Sequence, residues 1–571
     1  MTAAAISSGG ATTPLRSAHR VNRPVNVGKL ALAVATAVVL LGTRQARAEA
    51  PPLWGRLSPG PHAVGFRSAW ELDYSRTYNT TFDDKTTYAS GKAPRPVLVN
   101  VWYPAERAGD ARPMPHGDYF EIGSDDPRLR KLSAKLAEYA RGVARTELFG
   151  KSAQEMTPRE RRLMDRLLAT PTACTRNARP LERKGPVVVY HCGAGSSYED
   201  NSVLCEFLAS HGYVVIGSAF QQAWGATFNI DGGEGSARDM ACLIGYASRL
   251  PFADWNHVAV AGHSAGAQAS LVYASRGATP VDAVVSLDTT QDYESLANRG
   301  WTEFVPPVLA SSRNMTMPIL FAANAHAIFE LADALVGSRR DLLTLKNLEH
   351  NDYISQGQFK RAIESWSAAG NDNGTPRPPP LPGSSQASYE ALCEYVLAFL
   401  DASLRGDASR QDSLDATYRH SNVGGNVPHV ERIAAGVTAA PAYQDVPGKP
   451  PEPRQVRALL KDRGPEATMA ILRAAHEKSP EAPVFHSTFG IALVYELLEK
   501  RRTQDAVAFH RLFSTFDPDF RKPFFNLGKS YLKYGMKTRA LDFFEKAAAL
   551  DPDDAEAAEQ VKALLAAKKV P

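Results

Sequence analysis

Residues 258–274 read VAVAGHSAGAQASLVYA, and this stretch decides the fold. Val258 to Ala261 is a short apolar run of the kind buried in a sheet. Ala265 onward to Ala274 is rich in small residues and reads as a helix. Between them lies Gly262-His263-Ser264-Ala265-Gly266. A strand, a sharp turn with serine at its tip and a helix make the geometry of a nucleophile elbow. The glycines remove side chains where the chain reverses. The Ala265 N–H then opens the helix and points at a developing oxyanion.

Outward from this unit, similar apolar runs alternate with helical stretches. Pro96 to Tyr103, Pro186 to Tyr190, Tyr213 to Gly217, Ala283 to Leu287, Pro318 to Ala323 and Leu342 to Leu348 read as strands. Asn201 to Ser210 and Ala237 to Leu250 read as helices. The alternation predicts an α/β fold with a doubly wound, mostly parallel sheet. Residues 49–405 are expected to form this domain, with a polar, helix-favouring insert at about 126–168. The insert is expected either to cover a pocket or to pad the sheet. Pro51 to about Pro61 and Asn371 to Ser385 read as loops, and Tyr389 to Leu404 as an amphipathic helix. Residues 406–452 have poor periodicity and frequent Pro, Gly and Asn, and read as a linker.

Residues 453–571 change character. Within 521–554, Phe524, Leu527, Gly528, Tyr531, Ala540, Phe544, Ala547 and Pro552 fill the tetratricopeptide signature, whose period is 34. These positions pack two antiparallel helices. One period earlier, Leu493, Ala506 and Pro518 mark a weaker copy, and a degenerate unit is expected around Arg457 to Pro480. An all-α tetratricopeptide-like domain therefore follows the sheet. Its expected partner is a protein or peptide, or the neighbouring domain itself.

A serine hydroxyl needs a base, and the base needs an orienting carboxylate. In this fold they follow the serine in the order acid, histidine. His350, in LEHNDY after the last expected strand, is the candidate base; His326, one strand earlier, is the rival. After PILFAA, residues 324–331 offer Glu330 alone, already in a helical stretch. One strand earlier, SLDTTQDY places Asp288 at a strand end, with Asp292 as second choice. A second oxyanion donor is expected from His191-Cys192-Gly193-Ala194-Gly195-Ser196, at the Ala194 or Gly195 N–H. Cys192 as a thiol nucleophile lacks the strand-turn-helix setting.

Residues from about 57 to 405 resemble the α/β-hydrolase fold, through GPHAVGFR, RPVLVNVWYPA, VVVYHCGAG, GHSAGA, SLDTT, LEHNDY and YEALCEYVLAFLDASL. They are most similar to dienelactone hydrolase-like proteins and platelet-activating factor acetylhydrolases. In the acetylhydrolase branch the acid follows the strand after the nucleophile helix, which implies Asp288. The resemblance also implies cleavage of a small carboxylic ester without a metal. A catalytically inert binding protein acting through its repeats, and an amidase on the same triad, are the other readings.

Composition adds a class and a destination. The 571 residues carry 65 Lys and Arg against 61 Asp and Glu, a formal charge of +4. Arg16, Arg20, Arg23, Lys29, Arg44 and Arg47 lie in residues 1–48, which hold no acid. The remainder is nearly neutral, so no nucleic-acid partner is expected. The basic stretch, the apolar run Leu30 to Gly42 and Ala46-Arg47-Ala48 read as a signal peptide cleaved near Ala48. That run is too short to span a bilayer, so no stable membrane anchor is expected. The expected product is exported, periplasmic or secreted. The five cysteines form no C-x-x-C pair, and neither a phosphate-binding loop nor a dinucleotide fingerprint occurs, so no cofactor or metal is expected.

Overall fold

The computed structural model describes residues 51–78, 93–109, 111–219, 230–277, 281–296, 304–368, 384–420, 428–438, 443, 449–517, 520, 522–533 and 537–568. The leader expected at 1–48 lies outside them, as do Pro518 and most of the loop expected at 371–385.

Ten strands form one sheet: β1 (Ala63–Tyr78), β2 (Ala93–Ala105), β3 (Cys174–Arg176), β4 (Gly185–His191), β5 (Val214–Gly217), β6 (Ala253–His263), β7 (Ala283–Leu287), β8 (Ile319–Ala323), β9 (Arg340–Thr344) and β10 (His429–Ile433). Their order is β10-β9-β8-β7-β6-β4-β5-β2-β1-β3. From β5 across to β9 all neighbours are parallel. β2 is antiparallel to both β1 and β5. The central strands are Val-, Ile- and Ala-rich because helices cover both faces; Val187, Val189, Val260, Val285 and Ile319 are fully buried. This is the expected doubly wound, mostly parallel α/β architecture.

The order fixes where a ligand goes. The chain leaves β4 outward to β5, then returns to place β6 on the other side of β4. Ligands in open α/β sheets bind beyond the carboxyl ends of the strands at such a switch point. Here those ends carry the loop after His191 and the turn at Ser264.

Three strands depart from the sequence reading. β1 is not among the expected strands; along it Val64, Phe66, Trp70 and Leu72 fall on one face, with Ser68 among them, and Arg67, Glu71 and Asp73 on the other. Residues 406–452, expected as a linker, supply the helix Ser409–His420 and β10, which pairs antiparallel with β9. β10 forms because the β9 edge offers unpaired backbone, a tertiary cause with no local signature. β3 pairs three residues with β1.

The insert is two helices. Pro127–Phe149 starts where the Asp126 side chain accepts from the Arg128 N–H and ends at Gly150 in the left-handed region. Pro158–Ala169 opens on a Thr157/Glu160 capping box.

The C-terminal region is a stack of helices with its own core. Pro523–Lys533 and Lys537–Leu550 form the hairpin expected from the signature. Phe524, Tyr531, Ala540, Phe544 and Ala547 are buried in it, and Gly528 lies against the Phe544 ring. Ser487–Glu499 and Thr503–Phe516 make the preceding pair, and Ala555–Lys568 caps the stack. Pro453–Lys478 breaks at Gly464 (φ 78°) before Pro465.

Ile328, from the loop after β8, is buried in the helical core. Arg454 reaches back to Asp333 (2.5 Å) and Glu431, and Arg457, paired with Glu496 (2.6 Å) within the helices, reaches back to Glu330 (3.4 Å). The helices are thus packed on the α/β region. Among the described residues no helix is long and apolar enough to cross a membrane.

Candidate active site

Ser264 follows β6 with φ 55° and ψ −121°, a backbone conformation that L residues rarely adopt. Close packing enforces the turn. A Cβ on Gly262 would lie 2.3 Å from the Gly266 carbonyl carbon, and one on Gly266 would lie 2.2 Å from the His191 carbonyl oxygen. The Ser264 N–H donates to the Leu287 carbonyl at 3.0 Å. Ala265 begins the helix Ala265–Arg276, and as the first helical residue its N–H has no intrahelical acceptor.

Asp288 directly follows β7 and is itself left-handed, at φ 41°. Its N–H donates to the Ala322 carbonyl at 2.7 Å, which pins it to β8. Its Oδ2 lies 2.6 Å from His350 Nδ1. The carboxylate is buried, whereas the His350 side chain is 52% exposed, so the imidazole faces outward from a fixed acid. Because β6, β7 and β9 are parallel, Ser264, Asp288 and His350 emerge at the same end of the sheet.

The loop after β4 lies against the elbow. A Cβ on Gly193 would sit 3.1 Å from His263 Nδ1 and 3.5 Å from Ser264 Cβ. The Gly193 N–H donates to Asp200 Oδ2 (3.3 Å), and the Ser196 hydroxyl donates to the same oxygen (2.8 Å). Tyr190 donates to Asp200 Oδ1 at 3.1 Å. Burial nevertheless outweighs these donors and pushes the Asp200 carboxyl up to about 7. Ala194 and Gly195 follow Gly193 along the turn, Gly195 at φ 71°.

The other candidates lie elsewhere. Asp292 caps the short turn Thr290–Asp292, accepting from the Thr289 N–H at 3.2 Å. Burial pushes its carboxyl well up, with Asp288 adding to the effect. Glu330 accepts from the Leu296 N–H at 2.8 Å and faces Arg457. His326 stacks on His486 of the helical region, with ring centres 3.8 Å apart. Burial first, then His486, hold its imidazole down at about 3. Cys192 is buried, and the five cysteines remain thiols.

Three residues here escaped the sequence reading. His263 places Nε2 2.9 Å from the His350 carbonyl oxygen and lies ring to ring with His350 at 4.5 Å. Burial, then His350, hold the His263 imidazole well below its ordinary value. Tyr293 donates its hydroxyl to Asp288 Oδ1. Asp200 anchors the Gly193 turn. Their only sequence signal is proximity to the candidates, since His263 lies inside the GHSAG motif and Tyr293 inside SLDTTQDY.

The insert reaches the same place. Asn351, next to His350, donates to Glu147 Oε2 at 2.6 Å, tying the helix Pro127–Phe149 to the histidine loop. Tyr139 on that helix has its phenol pushed up to about 12 by burial, with Cys192 and Glu199 as charged or ionisable neighbours. Among the described residues no three His, Cys, Asp or Glu side chains are gathered as a metal site.

Residues 522–554 match the tetratricopeptide repeat family. No curated protein sequence matches the chain. Among solved structures, a ferulic acid esterase from Streptomyces cinnamoneus is similar, at 18% identity and a TM-score of 0.39. The match spans 61% of this chain and 92% of that one.

Proposed function

We propose that this chain is a serine hydrolase of small carboxylic esters, with Ser264 as nucleophile, His350 as base and Asp288 as the acid that orients it. The observation that carries the reading is the 2.6 Å hydrogen bond between His350 Nδ1 and Asp288 Oδ2, at the sheet end where Ser264 sits on its strained turn.

That bond fixes the tautomer with the proton on Nδ1 and leaves Nε2 as the basic nitrogen. His350 takes the Ser264 proton as Oγ attacks the acyl carbon. Asp288 stabilises the imidazolium that forms. The Ala265 N–H and that of Ala194 or Gly195 hold the tetrahedral oxyanion. His350 then gives its proton to the departing alkoxide, leaving an acyl-enzyme. A water that loses its proton to His350 then attacks the ester carbon, and His350 returns that proton to Ser264 Oγ as the acyl–Oγ bond breaks and the acid leaves.

The helix Pro127–Phe149 serves as a cover over the acyl site; its tie to Asn351 supports this. The repeats serve domain packing, supported by Ile328 and Arg454, and leave their remaining surface for a protein or peptide partner. The 1–48 leader supports an exported enzyme, and N-terminal sequencing of that product is expected to begin near Glu49; an intact leader contradicts this.

Ser264→Ala is expected to lower kcat on short p-nitrophenyl esters by about 10³-fold or more. Full activity in that variant removes the assignment.

A further inference from the structure

Asp288 presents two carboxylate oxygens, and the reaction uses one. Oδ2 faces His350. Oδ1 accepts the Tyr293 hydroxyl, and that hydroxyl in turn accepts from the Asn324 N–H at 2.8 Å. A phenol that both donates to the acid and accepts from a fixed backbone N–H has its rotation about Cζ–O decided. It holds the carboxylate plane so that Oδ2, rather than Oδ1, meets the imidazole.

The Tyr293 ring is fixed from behind. It lies on the His326 ring, with centres 4.9 Å apart and planes at 33°. His326 stacks on His486, from the helical region, at 3.8 Å and 8°. The backbone runs in parallel with these rings. The Asp292 carbonyl accepts from the Ile328 N–H (2.7 Å) and the Phe329 N–H (3.0 Å), and Ile328 is buried in the helical core. The turn that carries Asp288 and Tyr293 is thus bonded to the loop that the repeats clamp.

We propose that Tyr293 is a positioning residue for Asp288, and that the repeat-borne His486, through His326, holds Tyr293 in place. The repeat region then completes the rear wall of the candidate site. This rests on the Ser264–Asp288–His350 reading. Removing the Tyr293 hydroxyl takes a donor from the charged carboxylate, which concentrates its charge on His350 and favours the imidazolium. The acid limb of kcat/KM therefore moves to higher pH, and kcat falls by roughly tenfold or more, the scale of one hydrogen bond to a charged group.

The test uses the full chain, with active sites counted by a fluorophosphonate so that unfolded protein does not enter the rates. Tyr293→Phe is expected to lower kcat per titrated site with KM within about twofold, and to raise the acid limb. His486→Ala is expected to move both in the same direction by less, and His486→Phe, which keeps a stacking ring, to restore them. Wild-type kcat and pH profile per site in Tyr293→Phe overturn the inference, as does an activity loss that vanishes on site counting. Should Asp288→Asn also keep full activity, the triad reading fails; should Asp288→Asn be inactive while Tyr293→Phe is normal, only the positioning role fails.

Discussion

Ser264 occupies a backbone conformation suited to glycine, at φ 55° and ψ −121°. Such a residue costs of order 1–3 kcal/mol and persists only where its surroundings over-determine it. Here the surroundings are the Gly262–Gly266 contact, the His191 carbonyl and the Leu287 carbonyl. The strain is independent of the hydroxyl, which separates it from chemistry. Ser264→Gly is therefore expected to be more stable than Ser264→Ala by about 1 kcal/mol, read from denaturant midpoints, with both variants inactive. Equal midpoints would mean that the turn is not strained at this residue. Asp288 is the second strained residue of the site, at φ 41°, and its N–H bond to Ala322 holds it there.

At the scale of elements, the loop after β8 joins the sheet to the repeats. It carries Asn324 toward Tyr293, His326 toward His486 and Ile328 into the helical core. The His326 imidazole titrates near 3 in the folded chain, below its ordinary value of 6.5, chiefly through burial. The folded state therefore resists protonation that the unfolded chain accepts, and stability falls as pH drops through 6.5 toward 3. Between pH 7 and pH 5 the parent is expected to lose more Tm than His326→Asn, which has no imidazole to protonate. Identical slopes would place His326 in water. The same elements show why some of the fold was legible in the sequence and some was not. β4, β7, β8 and the Val258–Ala261 half of β6 are mostly apolar because both faces are covered, so each reads from its own residues. β1 has one polar face, and Arg67, Glu71 and Asp73 interrupt its apolar run. β10 reads His-Val-Glu-Arg-Ile and is a strand because β9 is beside it. The positions of Ser264, Asp288 and His350 follow from strand ends and chain order. Tyr293, His263 and the His326–His486 stack follow from packing between segments as far as 160 residues apart, which no local pattern encodes.

Across the whole molecule, the α/β region and the helices share a boundary that runs close to the candidate site. A cleft of about 1050 Å³ between them is lined by Asn324, His326, Leu348 and Glu349 on one side and by His476 and His486 on the other. His350 is the residue after Glu349, so the repeat face and the candidate base are neighbours in the folded chain. On the proposed reading, this arrangement gives the repeats a structural share in the candidate site and leaves the chemistry to Ser264, Asp288 and His350, on turns and loops that follow strands. The most direct test of that chemistry is intact and peptide mass spectrometry after exposure to a fluorophosphonate, which reacts with an activated serine and not with an ordinary one. The expected result is one adduct per chain, on the peptide containing Ser264, absent from Ser264→Ala and strongly slowed in Asp288→Asn. No adduct on the folded chain, or an adduct that persists in Ser264→Ala, contradicts it.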